Sequence, residues 1–392
     1  MSGSNRRDFL QAAGIAGMFS GVSGAALAQG VSGAGTVDEA NTSKAELTPT
    51  HNIRFSAIGL DHAHIYGMTR AIQRGGGELV SFFAADPAQI AAYRKEFGDV
   101  KLASSEAEIL NDKSVQLVLG APIPDLRAPL GVRVMKAGKD FMVDKPGITS
   151  MAQLAEARKV QAETKRIYSI LFSERLEVPA AVKAGELVKA GAIGTVIQTV
   201  GLGPHQIIQR GAPRPEWFWD PARYGGILVD IGSHQFDQFL FFTGSTTGEI
   251  VASQVRNVRH PEHPKFQDFG DVMVRGNGGT GYIRMDWFTP NGLSTWGDGR
   301  MTILGTDGYI ELRKYVDIAG RPGGNHLFIV DQKGTNYIDC KGMETPYGKQ
   351  LVDDVVNRTE TAVPQKHTFL ASELSIRAQD QAKQLAPGAH PV

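Results

Sequence analysis

The sequence predicts an α/β protein in two parts: a parallel sheet covered by helices, then an α+β part whose sheet is largely antiparallel. Three observations predict it. The chain has 392 residues, more than the roughly 250–300 that one core usually organises. Short apolar runs alternate with helical stretches across residues 52–150, the pattern of a parallel sheet buried on both faces. From 195 to 312, strand-like runs instead follow one another directly, with Gly or Asn turns between them, as antiparallel strands do.

Residues 53–58 are apolar, rich in β-formers, and stop at Gly59; 65–74 read as a helix ended by Gly75, Gly76 and Gly77. A second strand at 79–85 closes on Asp86-Pro87, a helix follows at 88–97, and further strands lie at 115–120 and 140–143. In such sheets ligands sit beyond the carboxyl ends of the strands. The loop 59–64, Asp86, the loop 121–127 and Asp144-Lys145-Pro146 then surround one crevice. Candidate cofactor contacts are Gly59, Asp61, His62, His64, Asp86, Ala121 and Lys145. An acidic side chain at the tip of the second strand accepts hydrogen bonds from an adenosine ribose, which favours NAD over NADP. The same Asp86-Pro87 pair equally suits a cap on the next helix.

A dinucleotide fingerprint has the pattern Gly-x-Gly-x-x-Gly, so that backbone approaches the diphosphate closely. Here the six residues are Gly59-Leu60-Asp61-His62-Ala63-His64. Only the first glycine is kept, and Asp61 adds a side chain and a negative charge beside the diphosphate's place. Taken alone, this loop argues against a dinucleotide. Its Asp-His-x-His string also raises a metal site at His62 and His64, since alternate side chains of an extended segment point the same way. The plainer alternative is a helix-capping aspartate followed by two locally bonded histidines.

In the second part, 150–165 and 178–190 are helical, the latter closed by Gly191, and 168–172 is strand-like. Strands are expected at 195–200, 251–258, 271–275, 281–288, 301–304 and 309–312. The most informative segment is 224–237. If it is helical, Asp230, His234 and Asp237 fall at i, i+4 and i+7 on one face. A carboxylate beside an imidazole raises its basicity, so the histidine takes a hydroxyl proton near neutral pH. The alternative is a buried Asp–His pair that holds the helix to the sheet. Lys145, just beyond a strand, can lower the pKa of a substrate hydroxyl or neutralise an alkoxide. Lys145, Asp230 and His234 are therefore the candidate catalytic residues. Arg175, His205, Trp217, Trp219 and Asp237 are candidate substrate contacts. Tryptophan faces suit the apolar face of a pyranose, and polar side chains suit its hydroxyls.

Composition narrows the class. Apolar residues make up 42% and charged residues 21%, with 41 basic and 41 acidic residues giving a net charge of zero. Nothing there favours a nucleic acid or an anionic membrane as partner. Cys340 is the single cysteine, which excludes an intrachain disulfide and a thiolate zinc cluster. Asn5-Arg6-Arg7-Asp8-Phe9-Leu10 is a twin-arginine signature, followed by a Gly/Ala-rich stretch and a small-residue cleavage site at Ala26-Leu27-Ala28. The expected organisation is a signal peptide at 1–28, a linker at 29–51, the nucleotide-fold domain at 52–150 and the substrate domain at 151–386. Export through the twin-arginine machinery to the periplasm is expected, with no span in the mature chain and a homo-oligomer as the commonest assembly.

Several elements together resemble the Gfo/Idh/MocA family. They are Asp144-Lys145-Pro146, Gly191-Ala192-Ile193-Gly194, the run from Gly225 to Asp237 with its Asp-x-Gly-x-His-x-x-Asp core, Gly305-Thr306-Asp307-Gly308 and a closing helix at 347–358. The resemblance spans about 53–386. It implies a Rossmann-like first domain, NAD or NADP as cofactor, tightly held and recycled in exported members, and oxidation of a sugar or polyol hydroxyl. Carried over, the catalytic lysine, aspartate and histidine match Lys145, Asp230 and His234. Three positions depart from the family pattern, all on the cofactor side: the glycine loop, Ala121-Pro122-Ile123-Pro124, and Arg127. This asymmetry keeps open a dinucleotide-free lyase or isomerase, with or without a metal at His62 and His64, and an NAD-assisted glycosidase.

Overall fold

The structure, a computed structural model, describes residues 48–207 and 213–385. The expected signal peptide, residues 29–47 of the expected linker, and Ala386 lie outside the described residues.

The first sheet is built from β1 (Ile53–Ile58), α1 (His64–Arg74), β2 (Gly77–Phe83), α2 (Pro87–Phe97), β3 (Lys101–Leu102), α3 (Glu106–Asn111), β4 (Leu117–Gly120), α4 (Pro124–Lys136), β5 (Asp140–Asp144), α5 (Met151–Thr164) and β6 (Tyr168–Leu171). Its six strands are parallel in the order β3-β2-β1-β4-β5-β6. The winding reverses between β1 and β4, the point where such sheets open a ligand crevice. Strands β4, β5 and β6 are buried at every residue, which is why they read as unbroken apolar runs. β6, expected with the second domain, is an edge strand of this sheet; four apolar residues carry no mark of the sheet they join. The expected loop at 121–127 ends at Ile123, because Pro124 starts α4 with its ring at a first-turn position that needs no N–H. Arg127 therefore stands on a helix.

The second part holds α6 (Ser173–Leu176), α7 (Pro179–Lys189), β7 (Val196–Pro204), a 3-10 turn (Glu216–Trp219), α8 (Pro221–Tyr224), α9 (Ile227–Asp230) and α10 (Gly232–Thr243). Then come β8 (Gly248–Arg256), β9 (Phe269–Gly276), β10 (Thr280–Asp286), β11 (Arg300–Gly305), β12 (Gly308–Arg313), β13 (His326–Asp331) and β14 (Gly334–Asp339). The chain closes through α11 (Tyr347–Asn357), α12 (Gln365–Gln381) and β15 (Lys383–Gln384). The nine strands run in the order β14-β13-β12-β11-β7-β10-β9-β8-β15. They are antiparallel except for the β7–β10 and β8–β15 pairs. The fold class is the expected one, α/β followed by a largely antiparallel sheet.

One apolar core runs through both sheets, from Ile53 and Phe55 through Phe141 and Tyr168 to Phe236 and Leu374. A smaller cluster under β11–β13 contains Cys340, where burial pushes the thiol up to about 12. α10 lies at the seam between the sheets, and all its residues except Phe241 are buried.

Two of the expected substrate contacts hold this seam together instead. Arg175 of α6 grips Asp237 of α10 through Nε–Oδ2 and a second guanidinium nitrogen–Oδ1, each 2.7 Å. His367 Nε2 of α12 lies 2.8 Å from Asp237 Oδ1. Burial raises the Asp237 carboxyl, but Arg175 and His367 outweigh it and hold it at about 2. Neither Arg175 nor Asp237 lines the main cavity. The i+7 spacing misled because a helix buried all round has no single working face. Asp237→Ala should destabilise the fold by about 3–5 kcal/mol, since it strands a buried guanidinium. Urea denaturation checks this, and an unchanged midpoint would refute the clamp.

Candidate active site

The site lies where the carboxyl edge of the parallel sheet meets α9, α10 and the end of β7. A cavity of about 1190 Å³, counting its open mouth, is lined there by His62, His64, Lys145, Glu174, His205, Asp230 and His234, among others. Three of the four tryptophans, Trp217, Trp287 and Trp296, form its apolar wall. Trp219 does not take part: it stacks on His263, ring centres 4.1 Å apart.

Lys145 follows β5 directly. Its Nζ donates to Asp230 Oδ1 at 2.8 Å, joining the first sheet to α9. Burial pushes the Asp230 carboxyl up, but the Lys145 ammonium outweighs it and holds the group below the usual range. His234, one turn further on, is buried, and burial lowers it to about 4. Among the described residues its Nδ1 has no hydrogen-bond partner.

The expected Asp230–His234 pairing is replaced by another. Asp230 serves Lys145, and the carboxylate that raises His234 is Glu174. Glu174 Oε2 accepts from Lys314 Nζ at 2.8 Å and Gln235 Nε2 at 2.8 Å. Burial raises Glu174, but Lys314 and the neighbouring imidazoles outweigh it and hold it at about 2. His205 lines the same cavity, and burial lowers it to about 3. Sequence analysis missed Glu174. The available signal was its place three residues beyond the apolar strand β6, at the edge where ligands bind.

The nucleotide-side residues are disposed unevenly. Gly59 has φ +78°, and a Cβ there would stand 2.9 Å from Pro122 Cβ, so the first fingerprint glycine is required by the turn itself. Ala121 N–H donates to Gly59 O at 3.2 Å and His62 N–H to Ala121 O at 3.1 Å. The two turns are thus stitched together. Asp61 is exposed and does not cap α1, whose N-cap is Ala63. Asp86 caps α2, accepting from Ala88 N–H at 2.8 Å, as the alternative reading expected. His62 and His64 both turn their Nδ1 to Asp144, each at 2.8 Å. Arg127 completes that arrangement: it reaches Asp144 Oδ2 at 2.8 Å, Pro122 O at 2.8 Å and Lys145 O. It braces the Asp144-Lys145-Pro146 turn and makes Asp144, despite full burial, an ionised group held well below the usual range.

A nicotinamide dinucleotide fits this surface at its reacting end. α1 starts with no side-chain cap and no acidic residue in its first turn, and Ala63, His64 and Gly67 line the cavity beside Lys145. An uncapped helix N-terminus of that kind attracts a diphosphate. The glycine cradle for the rest of the diphosphate is not reproduced, because the His62 N–H is already engaged.

The fold is a Rossmann fold of the NAD-binding kind followed by a second, mostly antiparallel sheet domain. Residues 53–172 match the oxidoreductase family with NAD-binding Rossmann fold, and residues 181–311 match the GFO/IDH/MocA C-terminal domain. The chain belongs to the Gfo/Idh/MocA family of oxidoreductases. It is similar to a crystal structure of a protein assigned as an oxidoreductase from Erwinia carotovora atroseptica SCRI1043. The two are 48% identical with a TM-score of 0.82, over 86% of this chain and all of the other. The 1,5-anhydro-D-fructose reductase of Ensifer adhaerens is 29% identical over 51% of this chain and 59% of its own length. The chain thus spans less than two thirds of this curated relative. A 3-ketoreductase from Actinomadura kijaniata, solved with NADP, shares the fold at TM-score 0.67 and 16% identity, over 86% and 99% of the two chains. Among the described residues no helix is long and apolar enough to cross a membrane.

Buried neutral histidines make stability depend on pH. His205 and His234 sit at about 3 and 4 when folded, against 6.5 when exposed. Their folded values are depressed, so the stability they permit is fully present above pH 6.5. It is lost as pH falls toward 4, because only the unfolded chain takes up the protons. The loss should reach about 1.4 kcal/mol per pH unit for each histidine between roughly pH 6 and 4. His62 is lowered to about 4 by burial as well; urea midpoints at pH 7, 6 and 5 read the sum, and His234→Gln should flatten the slope by about a third.

Proposed function

We propose that this chain transfers hydrogen at a hydroxyl of a sugar or polyol, with a nicotinamide dinucleotide as hydride partner. The observation that carries this reading is one cavity lined together by Lys145, fixed by Asp230, by His234 and by three tryptophans. The relative named as an anhydrofructose reductase supports a sugar-like substrate.

The aromatic faces of Trp217, Trp287 and Trp296 take the apolar face of the ring and exclude water from it. The Lys145 ammonium hydrogen-bonds the reacting hydroxyl oxygen and stabilises it as its proton leaves. His234 is unprotonated at neutral pH, so it accepts that proton. The Glu174 carboxylate behind it stabilises the imidazolium that forms. The nicotinamide, when bound, supplies the hydride acceptor; Gly59, Ala63, His64 and Lys145 are the residues that would hold its end of the cofactor. Asp86, acidic and exposed at the end of β2, supports NAD over NADP. The Arg6-Arg7 signature supports a periplasmic site of action, where free dinucleotide is scarce and a tightly held, recycled cofactor suits the chemistry.

One observation favours a second reading. The His62 N–H, which a diphosphate would meet, is bonded to Ala121 O. On that reading Lys145, Asp230 and His234 move protons without a dinucleotide, as a lyase or isomerase does.

Denaturing the purified protein separates the two. The first reading expects about one equivalent of released NAD(H) or NADP(H) per chain, or a thermal shift with millimolar dinucleotide. Neither signal would leave the second. In a panel of aldoses and polyols, His234→Gln should lower kcat by about 10²–10⁴ with KM little changed. Full activity in that variant would remove His234 as the base.

A further inference from the structure

We propose that His62, His64 and Asp144 form a binding site for a first-row divalent metal ion, with zinc or manganese the expected occupants.

Three potential ligand atoms converge: one ring nitrogen each of His62 and His64 and an Asp144 oxygen, all within 4.8 Å of one another. Each Nδ1 lies 2.8 Å from a different oxygen of the same carboxylate. The imidazole rings stand edge to face, 4.2 Å apart. Ligands bound to one ion at about 2.1 Å and near right angles lie about 3 Å from each other, so these spacings need only a small outward adjustment.

A second observation points the same way. Asp144 is fully buried. Its Oδ2 is paired with an Arg127 guanidinium nitrogen at 2.8 Å, but the His62 Nδ1 meets that oxygen at 2.8 Å off the bonding direction and has no regular hydrogen-bond partner among the described residues. A buried imidazole nitrogen held off the bonding direction is poorly satisfied, which costs free energy. An ion between it and the carboxylate removes that cost.

The ligand chemistry selects the ion. Two imidazoles and one carboxylate suit zinc, manganese, iron or cobalt, and three protein ligands leave coordination positions open. Both imidazoles line the cavity, so the open positions face the place proposed for the sugar, and two adjacent hydroxyl oxygens can fill them. Arg127 braces Asp144 from behind, as the outer partners of metal ligands do. Because that guanidinium shares the carboxylate's charge, the two imidazoles must supply most of the affinity. Loss of either should therefore be decisive.

The test uses the full chain, stripped with a chelator and reloaded with zinc or manganese alone. After gel filtration, elemental analysis should find about one equivalent, and the melting temperature should rise. His62→Ala and His64→Ala should each lower retention by roughly tenfold or more. His263→Ala, which alters the His260/His263 pair at the surface, should leave retention unchanged. No retained metal in the wild type, or retention indifferent to both His62→Ala and His64→Ala, overturns the proposal. Should those variants fail to fold, cobalt-loaded wild type decides. Intense visible bands with nitrogen ligation support the site, and the pale spectrum of the aqua ion overturns it.

Discussion

The Lys145 ammonium and the Asp230 carboxylate meet 2.8 Å apart where the parallel sheet abuts the helices of the second sheet. Each charge is largely withdrawn from water, and separating them would leave both uncompensated at a cost of several kcal/mol. The pair therefore makes domain docking and site assembly a single event. Lysine arrives on the end of β5 and aspartate on the end of α9, and among the described residues neither forms another ion pair. The common apolar core that runs beneath them supplies the rigidity that holds the ammonium at the cavity floor.

Around that pair the charges divide their work. Asp230 holds the lysine, Glu174 lies behind the imidazole, and Asp144 is held by Arg127, His62 and His64. Burial depresses His234 to about 4, so it is a weak base by itself. In the proposed reaction the chemistry is then driven from the substrate side, where a fixed cation acidifies the hydroxyl, and the carboxylate of Glu174 matters once the proton has moved. These three carboxylates are thus not interchangeable, because each is committed to a different cation or imidazole.

The fold was legible because its signals are local. Strand-helix alternation, the Asp86-Pro87 helix start, and the glycine stops at Gly59 and Gly191 are written within a few residues of where they act. The trio Lys145, Asp230 and His234 was legible as well, and it meets in one cavity. What escaped was partnership across long separations. Nothing near Glu174 indicates that Lys314, 140 residues later, holds it ionised. The same blindness placed Arg175, Asp237 and Trp219 at the substrate, when each is satisfied by a neighbour from another element. Asp86 read both ways, and its cap on α2 shows that a short turn motif can satisfy a helix without reference to any ligand.

The lone thiol has a practical consequence. Cys340 is fully buried and its proton is held tightly by the apolar surroundings, so it scarcely forms the thiolate that alkylating reagents attack. The wild-type chain is in effect silent to such reagents while folded. A single cysteine introduced at the cavity rim can then carry a fluorophore or spin label without a background signal, and report the arrival of a ligand directly.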